Sequence, residues 1–518
     1  MRKTFNIAGP CRPAEHYMLP TQERCGGLTD LIDHRQYFTI HAARQSGKTT
    51  LLLELTRQLN EAKKYYALYC SLETVQGIGD AKEGMQAVIN ALRSDIKFHP
   101  LLRHIPFAGH IDESRFNMIL RESLSYFCEE SDKPLVILFD GVDCLSNGTL
   151  ISFLRQLRNG YINRNNIPFV HSIALVGMRN IRDYQAKIRE ERETLGSASP
   201  FNIVKTSKTL RNFTQDEITK LCAQHAQATG QVFSQPVAVR IYHYTQGQPW
   251  LVNAIACEIV ERILQWKGRI LPEHVEQAVQ TLIMRRDTHI DSLMERLKEA
   301  RVQRIVEPVI LGENAGFSSL DDDYQYVLDL GLLRYTTRQL VPANPIYAEV
   351  IIRTLSSQVR MEIDGPDYLP DSSTYVRAGK LDMKCLLSDF QQFWRENSES
   401  WTKRYQYVEA APHLTLQAFL QRIVNSGGNV TREMAAGSKR LDLYIQYQGS
   451  NYPIELKIRY GEQTYQEGIE KLADYMDKLS CQEGWLVVFD KRKHTAWKDK
   501  IFWRSSRIGE KTIHVVGV

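Results

Sequence analysis

Short, continuous apolar runs alternate with longer stretches of helical periodicity along the first third of the chain. Residues 37–42 (YFTIHA) predict a buried strand that leads into RQSGKTT and then into TTLLLELTRQLNEAKK, whose length and leucine content predict a helix. A second strand is predicted at 65–70, helical patterns reach Glu130, and the strand LVILFD follows at 135–140. A helix near Leu150 to Arg158 and the strand SIALVG at 172–177 complete the series. Uninterrupted apolar strands alternating with helices predict a parallel sheet covered on both faces.

From Phe213 to about Leu264 the period is helical, with turn residues at Gly247 and Pro249. Between Arg296 and Leu355 the helical DDYQYVLDLGLL and the hairpin-like RYTTRQLVPANP give an outline similar to a winged helix. DGPDYLPDSS, at 364–373, reads as a linker. Beyond it, Leu416, Phe419, Leu420, Ile423 and Val424 mark one face of an amphipathic helix that SGG at 426–428 ends. RLDLYIQY and NYPIELKI, joined by QGSN, predict a hairpin. Ile469, Leu472, Met476 and Leu479 share a helix face, and WLVVF and TIHVVGV are the last strands.

The chain has 518 residues, 43% hydrophobic and 24% charged, a soluble composition long enough for several domains. These patterns divide it into a core at 1–210, a helical lid at 211–290, a winged-helix-like unit at 291–360, a linker at 361–385 and a C-terminal α/β domain at 386–518. No apolar stretch approaches a membrane span and no secretory h-region follows the N-terminus, so a cytoplasmic location without membrane attachment is expected. Nine dispersed cysteines without a CxxC suit reduced thiols. Lys plus Arg is 65 and Asp plus Glu is 60; the segment from Trp401 to Val518 holds 18 basic and 13 acidic residues, so the whole excess of +5 lies there. That is the weak electrostatic footprint of a phosphate-backbone binder, and equally of an ordinary lysine-rich surface.

Ala42-Ala-Arg-Gln-Ser-Gly-Lys48-Thr49 fits GxxxxGK[ST] with Ala42 in the first glycine's place. A loop between strand and helix points backbone N–H groups at phosphate oxygens, and the helix N-terminus adds positive potential. The expected nucleotide-binding residues are Gln45, Ser46, Gly47, Lys48, Thr49 and Thr50, with Lys48 on the β and γ phosphates and Thr49 on Mg²⁺. Asp140, at the end of LVILFD, is the second expected Mg²⁺ residue. The strand at 65–70 is expected to belong to the ATPase division in which a further strand separates the two motifs. The absence of NKxD favours ATP over GTP.

These segments resemble the AAA-like P-loop ATPases of prokaryotes, close to the signal-transducing STAND class. The strand ending LVGMR, with Arg179 as a sensor-like residue, and Gly247-Gln-Pro249, similar to the GxP of that class's lid, extend the likeness over about residues 1–355. The resemblance implies an ATP-dependent switch or oligomeriser. Arg182 and Arg211 are weaker candidates for a sensor or finger. The family commonly has Glu directly after the Asp of the second motif, but Gly141 stands here. Slow ATP turnover is therefore expected, with Asp143 either substituting for the missing carboxylate or capping the next helix.

In the C-terminal domain, Asp442 followed by Glu455-Leu-Lys457 is the pattern of a PD-(D/E)xK nuclease. Residues two apart on a strand share a face, so Glu455 and Lys457 point the same way. Asp442 and Glu455 would hold Mg²⁺, or alternatively Mn²⁺, and Lys457 would position the attacking water or neutralise the oxyanion. The order helix, three strands, helix, strand resembles the RecB-like members of that superfamily. The resemblance implies a further carboxylate, Glu409, and nucleic-acid contacts from Lys471 and Tyr475, which stand at QxxxY spacing with Lys replacing Gln. Lys491, Arg492 and Lys493 are candidate phosphate contacts or a charged turn.

The expectation is a multidomain α/β protein: a P-loop NTPase parallel sheet, a helical lid, a winged-helix-like unit and a restriction-endonuclease-like domain. It would be an ATP-regulated, metal-dependent nuclease acting on nucleic acid, DNA first, as a homo-oligomer with a separate trigger or partner protein, and similar combinations imply prokaryotic defence. The alternative is a non-catalytic regulator that binds nucleic acid. An ATP-driven translocase is disfavoured by the lack of a helicase-type motif set.

Overall fold

The computed structural model describes residues 2–107, 115–178, 203–285, 288–310, 321–336, 340–351, 354, 375–377, 379–404, 415–417, 419–420, 428–432, 443–459, 463–478, 481–490 and 495–518. The chain divides into two compact units, Met1–His289 with Ser318–Arg334 and Ile290–Phe317 with Tyr335–Val518.

In the first unit, strands β1 (Tyr37–His41), β2 (Tyr66–Ser71), β3 (Leu135–Asp140), β4 (Ser172–Gly177) and β5 (Val204–Thr209) form one parallel sheet in the order β2-β3-β4-β1-β5. Every residue of β3 and β4 is buried, which is why both read as unbroken apolar runs. Helices α1 (Leu28–Asp33) and α2 (Lys48–Glu61) cover one face, packing Leu28, Leu51 and Leu55 onto Ile40, Leu138 and Val176. Helices α3 (Ala81–Phe98), α4 (Ile119–Glu130) and α5 (Asn147–Asn163) cover the other, where Val88, Leu92, Phe127 and Phe153 meet Ile137, Phe139 and Leu175.

A strand does separate β1 from β3, but it is β4 and not the 66–71 strand on which the sequence reading rested, for β2 lies at the sheet edge beyond β3. Sequence order does not fix spatial order once crossover helices intervene. Strand β5 escaped that reading because VKTSKT has no apolar run. It is an edge strand whose Ser207 and Thr209 hydroxyls meet His41 Nδ1 and Nε2, each at 3.0 Å.

The helices that follow are α6 (Gln215–Thr229), α7 (Gln235–Thr245), α8 (Pro249–Cys257) and α9 (Pro272–Arg285). Thr214 and Glu217 form a capping box that starts α6, and Gly230, at φ 77°, ends it. Helices α10 (Thr288–Arg296), α11 (Ala300–Ile310) and α12 (Asp322–Asp329) and strands β6 (Leu333–Tyr335) and β7 (Leu340–Pro342) occupy the expected winged-helix segment.

In the second unit the paired strands β8 (Val376–Arg377) and β9 (Lys380–Leu381) and the first residues of α13 (Met383–Arg404) occupy the end of the expected linker, and the rest of α13 lies in the expected C-terminal domain. Strands β10 (Gly428–Arg432), β11 (Leu443–Tyr447), β12 (Ser450–Arg459), β13 (Glu483–Asp490), β14 (Phe502–Ile508) and β15 (Lys511–Gly517) form a mixed sheet in the order β10-β11-β12-β13-β15-β14. The β11–β12 turn is two residues, Gln448 and Gly449, both at positive φ, and so shorter than QGSN. Helix α14 (Gln463–Lys478) makes the crossover between the parallel strands β12 and β13 and seats Leu472 and Met476 on Leu486, Val488 and Ile513. Among the described residues no helix is long and apolar enough to cross a membrane.

Helices α3 and α5 approach closely at Gly84, where an added Cβ would lie 2.0 Å from Thr149 Oγ1. Gly84→Ala should therefore lower the unfolding free energy by about 1–3 kcal/mol through overpacking. An unshifted denaturant midpoint would contradict this packing.

Candidate functional site

The turn from β1 into α2 carries the phosphate-loop residues. Gln45 and Gly47 have φ of 56° and 92°, so the loop uses two left-handed positions before the helix begins at Lys48. Ala42, in the first glycine's place, is buried, and its carbonyl and that of Ala43 accept hydrogen bonds from Lys48 Nζ at 2.8 and 2.9 Å. Burial pushes the Lys48 ammonium's pKa down, while the charges of Asp143 and then Asp140 oppose that shift.

Thr49 Oγ1 donates to Asp140 Oδ2 at 2.7 Å, and the Tyr69 hydroxyl donates to the same oxygen at 3.1 Å. A hydroxyl and a carboxylate oxygen side by side are hard oxygen donors that fit Mg²⁺, and Thr49 and Asp140 would hold it. When bound with nucleotide, that ion supplies neutralisation of phosphate charge. Thr50 Oγ1 accepts from the Cys11 backbone N–H at 3.1 Å, which fixes the N-terminal segment beside the loop.

Beneath the loop lies Arg24, only 5% exposed. Its guanidinium donates to Ser46 O at 2.8 Å and to Arg211 O at 2.9 and 2.6 Å. Burial lowers its pKa to about 10, so it remains cationic at neutral pH. Arg211 forms a two-pronged pair with Glu217 at 2.7 and 2.8 Å. The structure thus engages Arg211, a weak sensor candidate, in holding the start of α6. Gln248 Nε2 reaches Gln45 O at 3.4 Å, and Pro249 is the first residue of α8. Gly247 is obligatory here: its φ is 74°, and a Cβ would lie 1.9 Å from Phe213 O. The Gly247-Gln-Pro249 turn therefore touches the loop through Gln248, a residue that the sequence reading passed over.

Asp143 lies in a short turn, Val142–Cys144, and does not cap α5, whose N-cap is Ser146. Its Oδ1 sits 2.9 Å from where a Cβ on Gly177 would be, over the end of β4. Glu73, absent from the sequence reading, stands just beyond β2 next to Gly141. Arg179 and Arg182 lie outside the described residues.

In the second unit, Glu455 and Lys457 share a face of β12, and both are buried. Lys471 Nζ donates to Glu455 Oε1 and Oε2 at 3.0 and 3.1 Å, Lys457 Nζ stands 3.4 Å from Oε1, and Lys471 lies over the Tyr475 ring. Gly468 allows this approach of α14, since a Cβ there would be 3.2 Å from Lys457 Cγ. Asp442, Glu409, Lys491, Arg492 and Lys493 lie outside the described residues. Both Glu455 oxygens thus accept from Lys471, and Glu455 is fully buried. Among the described residues no group of three His, Cys, Asp or Glu side chains is arranged to hold a metal ion.

Residues 24–351 match the model of the AAA-like domain family, and the chain belongs to that family. ATP binding by a P-loop core follows from this membership. The matched region ends before the C-terminal sheet. No curated protein matches the chain. Among solved structures, a Walker-type ATPase of Pyrococcus abyssi is similar at 12% identity and TM-score 0.47, covering 67% of this chain and 99% of its own. Cdc6p of Pyrobaculum aerophilum is similar at 16% identity and TM-score 0.36, covering 68% and 97%. The RuvB Holliday junction branch migration motor of Thermotoga maritima gives 14% identity and TM-score 0.34, covering 62% and 90%.

The pair below the loop carries a pH signature. Glu217 is held down at about 2, first by the hydrogen bond from Arg211. A depressed carboxylate contributes stability that is present above its unfolded pKa and lost as pH falls through the folded one. Arg211→Met should cost roughly 1.5 kcal/mol at pH 7, the low end for a charged hydrogen bond because Arg211 is 42% exposed. Denaturant titrations of parent and variant should converge as pH falls from 4.5 towards 2; a gap that stays constant with pH would contradict the assignment.

Proposed function

We propose that this AAA-like chain is an ATP-controlled nuclease: a nucleotide-binding switch joined to a C-terminal domain that cleaves phosphodiester bonds of nucleic acid, DNA first. It would act as a homo-oligomer that answers a separate trigger, in the manner of a prokaryotic defence effector of STAND type. The observation that carries the nuclease reading is the ionic group under α14. Glu455, Lys457 and Lys471 bring one carboxylate and two ammonium groups together among buried residues. A buried ionic cluster is often no more stabilising than an apolar replacement, so its presence on a strand face suits a functional site better than a structural one. In cleavage Lys457 would stabilise charge developing on the scissile phosphate. For this, Glu455 must first part from Lys471.

One observation favours the second reading. Lys471 closes both oxygens of Glu455, as a non-catalytic nucleic-acid-binding or regulatory domain would allow.

Supercoiled plasmid incubated with the full chain and Mg²⁺, with and without ATP, separates the two. The nuclease reading expects nicked or linear product, and at least a hundredfold slower cutting by Asp442→Ala and by Lys457→Ala. Equal cutting by both variants would defeat it. Retarded but uncut plasmid under both nucleotide conditions would establish the second reading.

A further inference from the structure

In the family that this chain resembles, a glutamate commonly follows the aspartate of the second motif and orients the water that attacks ATP; here Gly141 follows Asp140. Gly141 has a φ of 71°, and a Cβ on it would lie 3.4 Å from Glu73 Cγ and 3.5 Å from Cys144 Sγ. Glu73 therefore borders the space into which the missing side chain would begin to grow.

The fold holds it there. Strand β2 pairs with β3 along its full length, ending at Ser71 opposite Asp140, and Leu72 N donates to Asp140 O at 2.9 Å. The next residue, Glu73, starts a one-turn helix whose position is consequently fixed to the end of β3. Its side chain is exposed, and no hydrogen bond or ion pair engages its carboxylate among the described residues. Its charge nevertheless acts on the Tyr69 hydroxyl and on the Cys144 thiol, two groups on which Asp140 also acts.

Asp143, the other acid within reach, is placed differently. It lies over β4, on the opposite side of β3, and is the foremost charge acting on Lys48. Asp143 thus faces the loop lysine and the end of β4, whereas Glu73 faces the space beside Gly141.

We propose that Glu73 supplies the carboxylate that Gly141 lacks, as the residue that orients and deprotonates the attacking water. This rests on the ATP-binding reading of the first unit. The water oxygen bonds to the γ phosphorus while Glu73 accepts its proton. The bond from the γ phosphorus to the β,γ-bridging oxygen breaks, its electron pair leaving on ADP, and Glu73 then releases the proton to solvent or to the phosphate product. The base is thus borrowed from the neighbouring strand, which accounts for a glycine being tolerated after Asp140.

The test uses the full chain, with affinity for ATP and Mg²⁺ measured by displacement of a fluorescent ATP analogue and hydrolysis measured in a single turnover. Glu73→Gln should bind within about twofold of the parent and hydrolyse at least tenfold more slowly, as expected on loss of a general base. The parent's loss of rate at acid pH should also disappear in the variant, a change that a merely structural role would not produce. Hydrolysis by Glu73→Gln at the parent rate overturns the proposal, as does loss of turnover in Asp143→Asn alone. A parent that binds ATP without ever hydrolysing it overturns the proposal and leaves the binding reading intact. A parent that does not bind ATP defeats the binding reading itself.

Discussion

The hydrogen bond from Thr49 to Asp140 joins the first turn of α2, the helix that follows β1, to the end of β3, although β1 and β3 are not neighbours in the sheet. It can form only because β4 lies between β1 and β3 and holds their C-terminal ends level, and because Gly47 turns the chain into the helix at that height. The apolar filling on both sheet faces fixes those strand ends, and so fixes the distance that two polar side chains must span. Packing here sets chemistry: a shift of one residue in the β3–β4 register would move Asp140 by about 3.3 Å and break the contact.

Around that bond the first unit places charges whose cost of burial is offset by specific partners. Lys48 gives up hydration but gains two loop carbonyls, and Arg24 gains the carbonyls of Ser46 and Arg211. Arg24 ties the loop to the segment that starts α6, and Gln248 ties it to the segment that starts α8. The loop is thus braced from two helix starts.

Much of this was legible in the chain. The strand–loop–helix pattern at 37–61 and the run ending at Asp140 carry local signals, and the structure has strand and helix there. What could not be read was set by distant residues. Strand β5 has a polar sequence because it is an edge, the order of strands depends on crossovers, and Glu73 matters only because β2 lies against β3. A search for acids just beyond apolar strands would have found Glu73. In the C-terminal domain, period-two alternation placed Glu455 and Lys457 on one face, but nothing in that spacing says that Lys471, a helix later, turns back onto the same carboxylate.

The most direct test of the central claim is calorimetric titration of the full chain with ATP and Mg²⁺, beside Lys48→Ala. The account predicts saturable binding by the parent and at least tenfold weaker binding by the variant, with its thermal unfolding preserved. Equal affinity in the two proteins would show that the turn after β1 is not where nucleotide is held.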